Sequence, residues 1–252
     1  NTDLMHKVAA SGFEKRLQKR RVAAIERTGL QAGGAVLDVG AGLGFYLERL
    51  VSAFAPERAV GVETSAQAAA EAAQRAGVEI VAQPFEEAQL AAGTFDLVCM
   101  NHILEHLVEP GDFVEKAAGL LRPGGLLQVE VPRMDGWARR LFGRWYWPHL
   151  PPQHLQLFTR EGLEGLLESR GFEVQAAHTS GYPATASASL VLAAQHIFGS
   201  KSRYARNWLV RGPATLLGIG CLPITLAFDL LVAPILDRFG AGDILTLVGR
   251  LK

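Results

Sequence analysis

The sequence predicts a doubly wound α/β sheet with helices on both faces, and three observations carry that prediction. Apolar, strand-like runs alternate with helical runs from Ala35 to Val131; alternation of this kind builds βαβ units and hence parallel strands. The run Val36-Leu37-Asp38-Val39 passes into the alternating glycines Gly40, Gly42 and Gly44, as a buried strand does where it turns tightly into a helix with unpaired N–H groups at its start. A second strand ends in Gly61-Val62-Glu63, which places a carboxylate at the same edge of the sheet. Together these outline a nucleoside-binding unit, in which backbone free of Cβ approaches the ligand and the carboxylate accepts from both ribose hydroxyls. A glycine turn that serves only the chain reversal is the alternative at this point.

Taken in order, residues 4–30 carry Leu4, Val8, Phe13, Leu17, Val22 and Ile25 at helical spacing among many Lys and Arg, which predicts one or two amphipathic helices over the sheet or its ligand. The alternation then runs strand Ala35–Val39, helix Phe45–Phe54, strand Ala59–Val62, an Ala-rich helix Ala66–Ala76, strand Glu79–Ala82, strand Phe95–Met100, helix Pro110–Leu121 and strand Leu126–Val131. After Pro132 the pattern breaks into an aromatic, proline-rich loop holding Arg139, Arg140, Trp145, Tyr146, Trp147, His149 and His154. Thr159 reads as an N-cap, with Glu161 in the first turn of a helix that Gly171 stops after Arg170; Phe172–Ala177 and Ile244–Val248 are the last strands.

Between those two strands lies a connection too long for a plain loop. Its part Gly212–Leu236 is strongly apolar, with Asp229 its only charge and Pro213, Pro223 and Pro234 as breaks. Pro223 divides it into halves each too short to span a bilayer. Two readings stay open: a re-entrant or interfacial hairpin, and a buried helical pair forming a cap or dimer face. Arg203, Arg206 and Arg211, with Trp208 among them, precede it as interfacial anchors would.

Composition narrows the function. With 252 residues the chain can bury a full α/β core, as one elaborated domain or as two. Lys+Arg and Asp+Glu balance at 25 each, so no general basic field draws it to nucleic acid. Cys99 and Cys221 have neither paired spacing nor ligand-like neighbours, which argues against disulfides and zinc and fits a reducing, cytoplasmic compartment. Asn1–Leu30 is charged and helical in pattern, unlike a secretory signal.

Three further stretches carry a family resemblance. Thr94-Phe95-Asp96-Leu97-Val98-Cys99-Met100-Asn101-His102-Ile103-Leu104-Glu105-His106-Leu107, Leu120-Leu121-Arg122-Pro123-Gly124-Gly125-Leu126, and His154-Leu155-Gln156-Leu157-Phe158-Thr159 followed by Gly171-Phe172-Glu173-Val174 stand in order after the glycine loop. With it they resemble the class I S-adenosylmethionine-dependent methyltransferases, and within them the group of quinone-biosynthesis and small-molecule enzymes. A nicotinamide enzyme rivals this only for the glycine loop. The resemblance implies a Rossmann-like seven-stranded sheet with its last strand antiparallel. Residues 1–30 would be an N-terminal helical cap, 31–178 and 242–252 the cofactor-binding domain, and 179–241 a hydrophobic helical insertion.

It also assigns residues. Asp38, Gly40, Ala41, Gly42, Gly44, Glu63, Thr64, Phe85, Glu86 and Asn101 are the positions expected to hold S-adenosylmethionine. Asp38 would brace the glycine loop or meet the amino-acid end, and Glu63 would take the ribose hydroxyls, with a helix N-terminal acid as its alternative. Pro84 stands where the family carries an acid for adenine, so Phe85 with Glu86 or Gln83 would take that role, or Phe85 would be core. Asn101 would present its backbone to the cofactor. Methyl transfer needs little acid–base help beyond alignment; for a hydroxyl acceptor His149, His154 or His102 is the candidate base, and His106 reads as structural. Trp145, Tyr146 and Trp147 would form an acceptor wall or an interfacial belt.

The expected activity is methyl transfer to a small or lipophilic acceptor, lipid-, quinone- or glycolipid-like, at the cytoplasmic face of a membrane touched through residues 212–236. A non-catalytic cofactor-binding assembly protein and a sugar O-methyltransferase of polysaccharide synthesis are the alternatives. Self-association is expected if no membrane covers the apolar hairpin.

Overall fold

The computed structural model describes residues 11–149, 152–182, 185–197, 220, 223–225, 227–229 and 231–252. Leu4, Val8, Arg203, Arg206, Trp208, Arg211, Pro213, Cys221 and much of Gly212–Leu236 lie outside them. The chain forms two compact units. The first comprises residues up to Val131, Glu161–His178 and Thr246–Lys252; the second comprises Pro132–Arg160 and Thr179–Leu245. The unit that holds the insertion therefore also takes in the aromatic loop and the start of the last strand.

The strands are β1 Ala35–Val39, β2 Arg58–Val62, β3 Glu79–Val81, β4 Phe95–Asn101, β5 Leu121–Pro132, β6 Phe172–Ser180 and β7 Ile244–Leu251. They make one seven-stranded sheet in the order β3-β2-β1-β4-β5-β7-β6. β1 has parallel partners on both sides, β2 and β4, while β3 extends the first side and β5 the second, all parallel. β7 runs antiparallel to β5. The helices are α1 Gly12–Glu26, α2 Phe45–Phe54, α3 Ala66–Ala76, α4 Pro110–Leu120, α5 Trp137–Phe142, α6 Arg160–Ser169, α7 Thr185–Ile197 and α8 Ala233–Arg238. The sheet is thus the doubly wound, Rossmann-like arrangement the alternation predicts.

All five residues of β1 are buried, as its continuous apolar run requires of a central parallel strand. α1 starts at Ser11, whose hydroxyl accepts the Glu14 N–H at 3.2 Å. Its Val22, Ala24 and Ile25 join Tyr46, Leu50 and Phe54 of α2 and Val36, Leu97, Cys99, Leu126 and Val248 of the sheet in one buried cluster. α1 is therefore built into the core; burying Ile25 alone is worth about 1.5–3 kcal/mol.

Three strands extend beyond their apolar runs. Phe95 pairs with Leu121 and Leu97 with Leu126, so Arg122–Gly125, which reads as a turn before the strand, is looped out within β5. Gly124 there has φ +79°, a conformation costly for residues with a Cβ. β6 continues to Ser180 and β7 to Leu251. β6 is an edge strand, where polar residues on the solvent face do not oppose pairing.

Within the second unit Tyr146 is fully buried, and its hydroxyl donates to the Asp243 carbonyl at 3.2 Å. The Trp147 N–H donates to the Ser189 hydroxyl, and the Trp147 ring meets Tyr182 edge-on at 5.5 Å. Trp137 packs on Phe228 at 5.1 Å. Arg133 grips Asp135 through two bonds of 2.7 and 2.9 Å and donates to the Gly240 carbonyl. Asp229, the lone charge of the apolar stretch, accepts the N–H groups of Ala186 (3.1 Å) and Ser187 (3.4 Å) at the start of α7, where a carboxylate offsets the helix dipole. Pro234 opens α8 rather than interrupting a helix. Among the described residues no helix is long and apolar enough to cross a membrane.

Candidate active site

The glycine loop after β1 uses its three glycines differently. All have positive φ, +73° at Gly40, +54° at Gly42 and +79° at Gly44. A Cβ at Gly44 would stand 2.8 Å from the Ala72 backbone in α3, and one at Gly40 would stand 2.3 Å from the Ile103 side chain. A Cβ at Gly42 would meet nothing within 4 Å, so Gly42 borders open space. The amides of Gly40 and Ala41 both donate to the Val62 carbonyl, at 2.8 and 3.0 Å, tying the loop to the end of β2.

Glu63 is held just beyond that end. One carboxylate oxygen accepts the Gly42 N–H at 2.8 Å; the other accepts the Ser65 N–H at 2.8 Å and the Thr64 hydroxyl at 3.3 Å. Ser65 also caps α3 through Ala68, so Glu63 shares in the helix start and in the loop. A carboxylate offers about four acceptor positions; three are taken, so one remains for a ligand hydroxyl, and a second is freed where the Thr64 hydroxyl, the longest of the three bonds at 3.3 Å, turns away. Asp38, level with Gly61 on one side and Cys99 on the other, is buried. Burial pushes its carboxyl up to about 7, partly opposed by Arg21 and reinforced by Glu63. The bracing of the glycine loop runs through Glu63 and the Val62 carbonyl.

At the end of β4, Asn101 stands opposite Glu130. Both polar atoms of its side-chain amide are buried without a hydrogen-bond partner. His102 follows with φ +57°, strained for a residue with a Cβ. Its N–H donates to the Glu130 carbonyl at 2.8 Å, while its ring lies 3.0 Å from Glu105 through Nδ1 and 3.3 Å from Glu130 through Nε2. Glu130 is fully buried; it also accepts the Thr246 hydroxyl at 2.6 Å and a two-nitrogen grip from Arg21, whose other terminal nitrogen pairs with Glu14 at 3.0 Å. Burial opposes charge on His102, but its bonds to Glu105 and Glu130 outweigh that and raise the ring to about 9. Burial likewise opposes charge on Glu130, and Arg21 and His102 overcome it, holding the carboxylate well below its usual range. His102 thus carries both ring protons at neutral pH and has no lone pair with which to act as a base. His106 closes a short 3₁₀ turn, Leu104–His106.

Phe85 is buried against Phe113, with ring centroids 5.3 Å apart, and so takes the core role. Glu86 beside it is exposed. Lys116, absent from the sequence expectations, donates to the carbonyls of Phe85 (2.6 Å), Glu86 (2.9 Å) and Ala88 (3.0 Å) and so shapes the loop after β3.

His149 and His154 belong to the second unit. His154 Nδ1 lies 2.6 Å from the Pro148 carbonyl; a carbonyl only accepts, so Nδ1 carries the proton and Nε2 the lone pair in the neutral ring. His149 ends the 3₁₀ turn Trp147–His149. Asp243 is a residue sequence reading passed over, because Gly240-Ala241-Gly242-Asp243 looks like an exposed turn. It is fully buried; one oxygen accepts the Ala138 N–H at 3.2 Å and the other has no partner. Burial raises its carboxyl to about 7.

A family model described as methyltransferase domain matches residues 13–177. A ubiquinone biosynthesis O-methyltransferase of Caulobacter vibrioides is 35% identical over 101 residues, 38% of this chain and 40% of that protein. One from Burkholderia orbicola is 32% identical over 98 residues, 37% of this chain and 42% of that protein. The chain thus spans about two-fifths of the length of these relatives. Among solved structures, Haemonchus contortus phosphoethanolamine N-methyltransferase 2 with S-adenosyl-L-methionine is similar at a TM-score of 0.58 and 18% identity, over 92% of this chain and 52% of that one. The cyclopropane synthase MmaA2 from Mycobacterium tuberculosis is similar at a TM-score of 0.56 and 18% identity, over 92% and 83%. At such identities the likeness is one of fold.

Proposed function

The chain belongs to the methyltransferase-domain family, and from that premise we propose that it uses S-adenosylmethionine to methylate a small lipophilic acceptor, lipid- or quinone-like. The observation that supports this most is the Glu63 carboxylate, fixed by the amides of Gly42 and Ser65 beside a glycine that borders open space. The unpartnered Asn101 amide at the end of β4 fits the same cofactor, since a buried amide without partners costs about 1–3 kcal/mol.

When bound, the cofactor supplies a methyl group already activated on sulfonium. Glu63 would hold the ribose by accepting from its hydroxyls through charge-assisted bonds. Gly40, Ala41, Gly42 and Gly44 let the backbone approach, Thr64 steadies Glu63, and the Asn101 amide donates and accepts at the edge of β4. Asp38 ionises against the amino group of the methionyl end. Glu86 is the remaining acid for the adenine amino group, Phe85 being committed to the core. For a hydroxyl acceptor the candidate bases are His154, whose Nε2 carries the lone pair in the neutral ring, and His149.

The lipophilic acceptor is supported by the names of the curated relatives and by the second unit's own surface. There Ile224, Leu231, Val232, Ile235 and Phe239 are exposed, Phe239 to 82%, and such a concentration marks a membrane or partner contact. The protein on this reading works at the cytoplasmic face of a membrane. Methyl-labelled S-adenosylmethionine incubated with the protein and a membrane lipid extract should yield label in the organic phase. Label in the aqueous phase from a saccharide extract would point to a sugar acceptor. Tight binding of S-adenosylhomocysteine with no labelled product from either extract would replace the enzyme by a cofactor-binding assembly protein.

A further inference from the structure

The first unit carries a cleft between α1 and α2 that the cofactor reading does not use. It encloses about 330 Å³ and is walled by Lys15 and Lys19 of α1 and by Phe45, Glu48, Arg49 and Ser52 of α2, near the lower end of the range for small-molecule sites. Lys15 and Lys19 are one helical turn apart on one face, where like charges disfavour the helix. Arg49 adds a third cation from the facing helix. Among the described residues none of the three forms an ion pair within 4 Å, Glu48 included, and the Arg49 Nε is buried with no hydrogen-bond partner.

That pattern departs from the rest of the molecule. Arg21 is saturated by Glu14 and Glu130, Arg122 pairs with Asp96, Arg133 with Asp135, Lys116 serves three carbonyls and Arg250 two. Other cations also have a nitrogen without a hydrogen-bond partner, Arg139 Nε and Arg170 Nε among them, but in this cleft three stand together with Glu48 as the lone acid beside them. We propose that the α1/α2 cleft binds a phosphate group, with Lys15, Lys19 and Arg49 as its ligands and Ser52 as a neutral donor. A phosphate presents three or more acceptor oxygens and close to two charges, which matches two ammonium groups and a guanidinium edge better than a carboxylate does. The phosphate comes either from a soluble phosphate ester or from a lipid headgroup. The inference is independent of methyl transfer: none of the cleft's charged groups is assigned to the cofactor.

The test uses the intact chain. Inorganic pyrophosphate, as the soluble probe, should give a calorimetric binding signal that weakens as salt rises. Lys15→Gln/Lys19→Gln and Arg49→Gln should each weaken it about tenfold or more while leaving S-adenosylhomocysteine affinity as it was. Vesicles of phosphatidylcholine with and without phosphatidic acid separate the sources. Capture that needs phosphatidic acid and is lost in the variants assigns a headgroup, whereas pyrophosphate binding without vesicle capture assigns a soluble ester. In the unaltered protein, pyrophosphate should also slow amide hydrogen exchange in α1 and α2, a readout that survives if a variant fails to fold. No binding of either probe, binding that the variants leave intact, or unchanged exchange in both helices would overturn the proposal.

Discussion

Glu63 shows how one side chain can be placed by the backbone for a task the backbone does not need. Its two amide bonds aim both oxygens, so Glu63→Ala should weaken S-adenosylhomocysteine binding by one to two orders of magnitude, about 1.5–3 kcal/mol, with the protein still folded. Glu63→Gln, which keeps an acceptor, should lose less; equal affinities in a calorimetric series would defeat the assignment. Asp38 makes a pH-dependent prediction. Burial lifts its carboxyl to about 7 from 3.8, so the neutral form is favoured in the free protein and ionisation adds a partner for a ligand ammonium only above that value. Affinity should therefore rise as pH passes upward through about 7, and Asp38→Asn should flatten the rise. His102 titrates with the opposite consequence for folding. Its folded value of about 9 exceeds the ordinary 6.5, so its stabilisation is complete below about 6.5 and lost as pH climbs through about 9. Denaturation midpoints followed across that window should fall in the natural protein and stay level in His102→Gln. At this scale the glycines and Glu63 were legible because their spacing is local. The state of His102 was legible only in part: Glu105 stands three residues on, but Glu130, the other group that raises the ring, lies far off in sequence, and nothing in an isolated Glu predicts full burial.

The first helix illustrates the same point for elements. Helical spacing placed α1 ahead of the sheet, but only the fold shows that Arg21 and Glu130 pin it there, with side chains 5% and 0% exposed. Removing one member of such a pair leaves the other charged and buried, and Arg21→Ala should cost about 3–5 kcal/mol in chemical denaturation. A double change of Arg21 and Glu130 to Met should recover much of that loss; a single variant of unchanged stability would show that α1 is held by its apolar face alone. Strands were predicted wherever apolar runs were continuous. Their ends were misplaced where pairing outlasts the pattern, as at Ser180 and Leu251, or where a run folds back within one strand, as at Arg122–Gly125. The short α5 and the 3₁₀ turns of the aromatic loop escaped prediction because six or fewer residues, bounded by Gly143, Pro148 and Gly136, carry no measurable periodicity.

For the whole molecule, order in sequence and order in space part company. The aromatic loop and the long insertion, separated by α6 and most of β6, form one unit, which no local pattern announces. If its exposed apolar residues meet lipid, the protein should float with liposomes, and Ile224→Ser/Leu231→Ser/Ile235→Ser/Phe239→Ser should stay at the bottom of the gradient; equal flotation would remove the membrane contact. The sheet order has an outcome of another kind. β7 lies between β5 and β6, and Arg250 within it reaches the carbonyls of Gly124 and Thr28. A ribosome that has made every residue up to Gly242 has supplied six strands but not the one that joins β6 to its neighbours. Nascent chains stalled at that point should remain open to protease at β6, and protection should arrive only when β7 has been made and has cleared the exit tunnel.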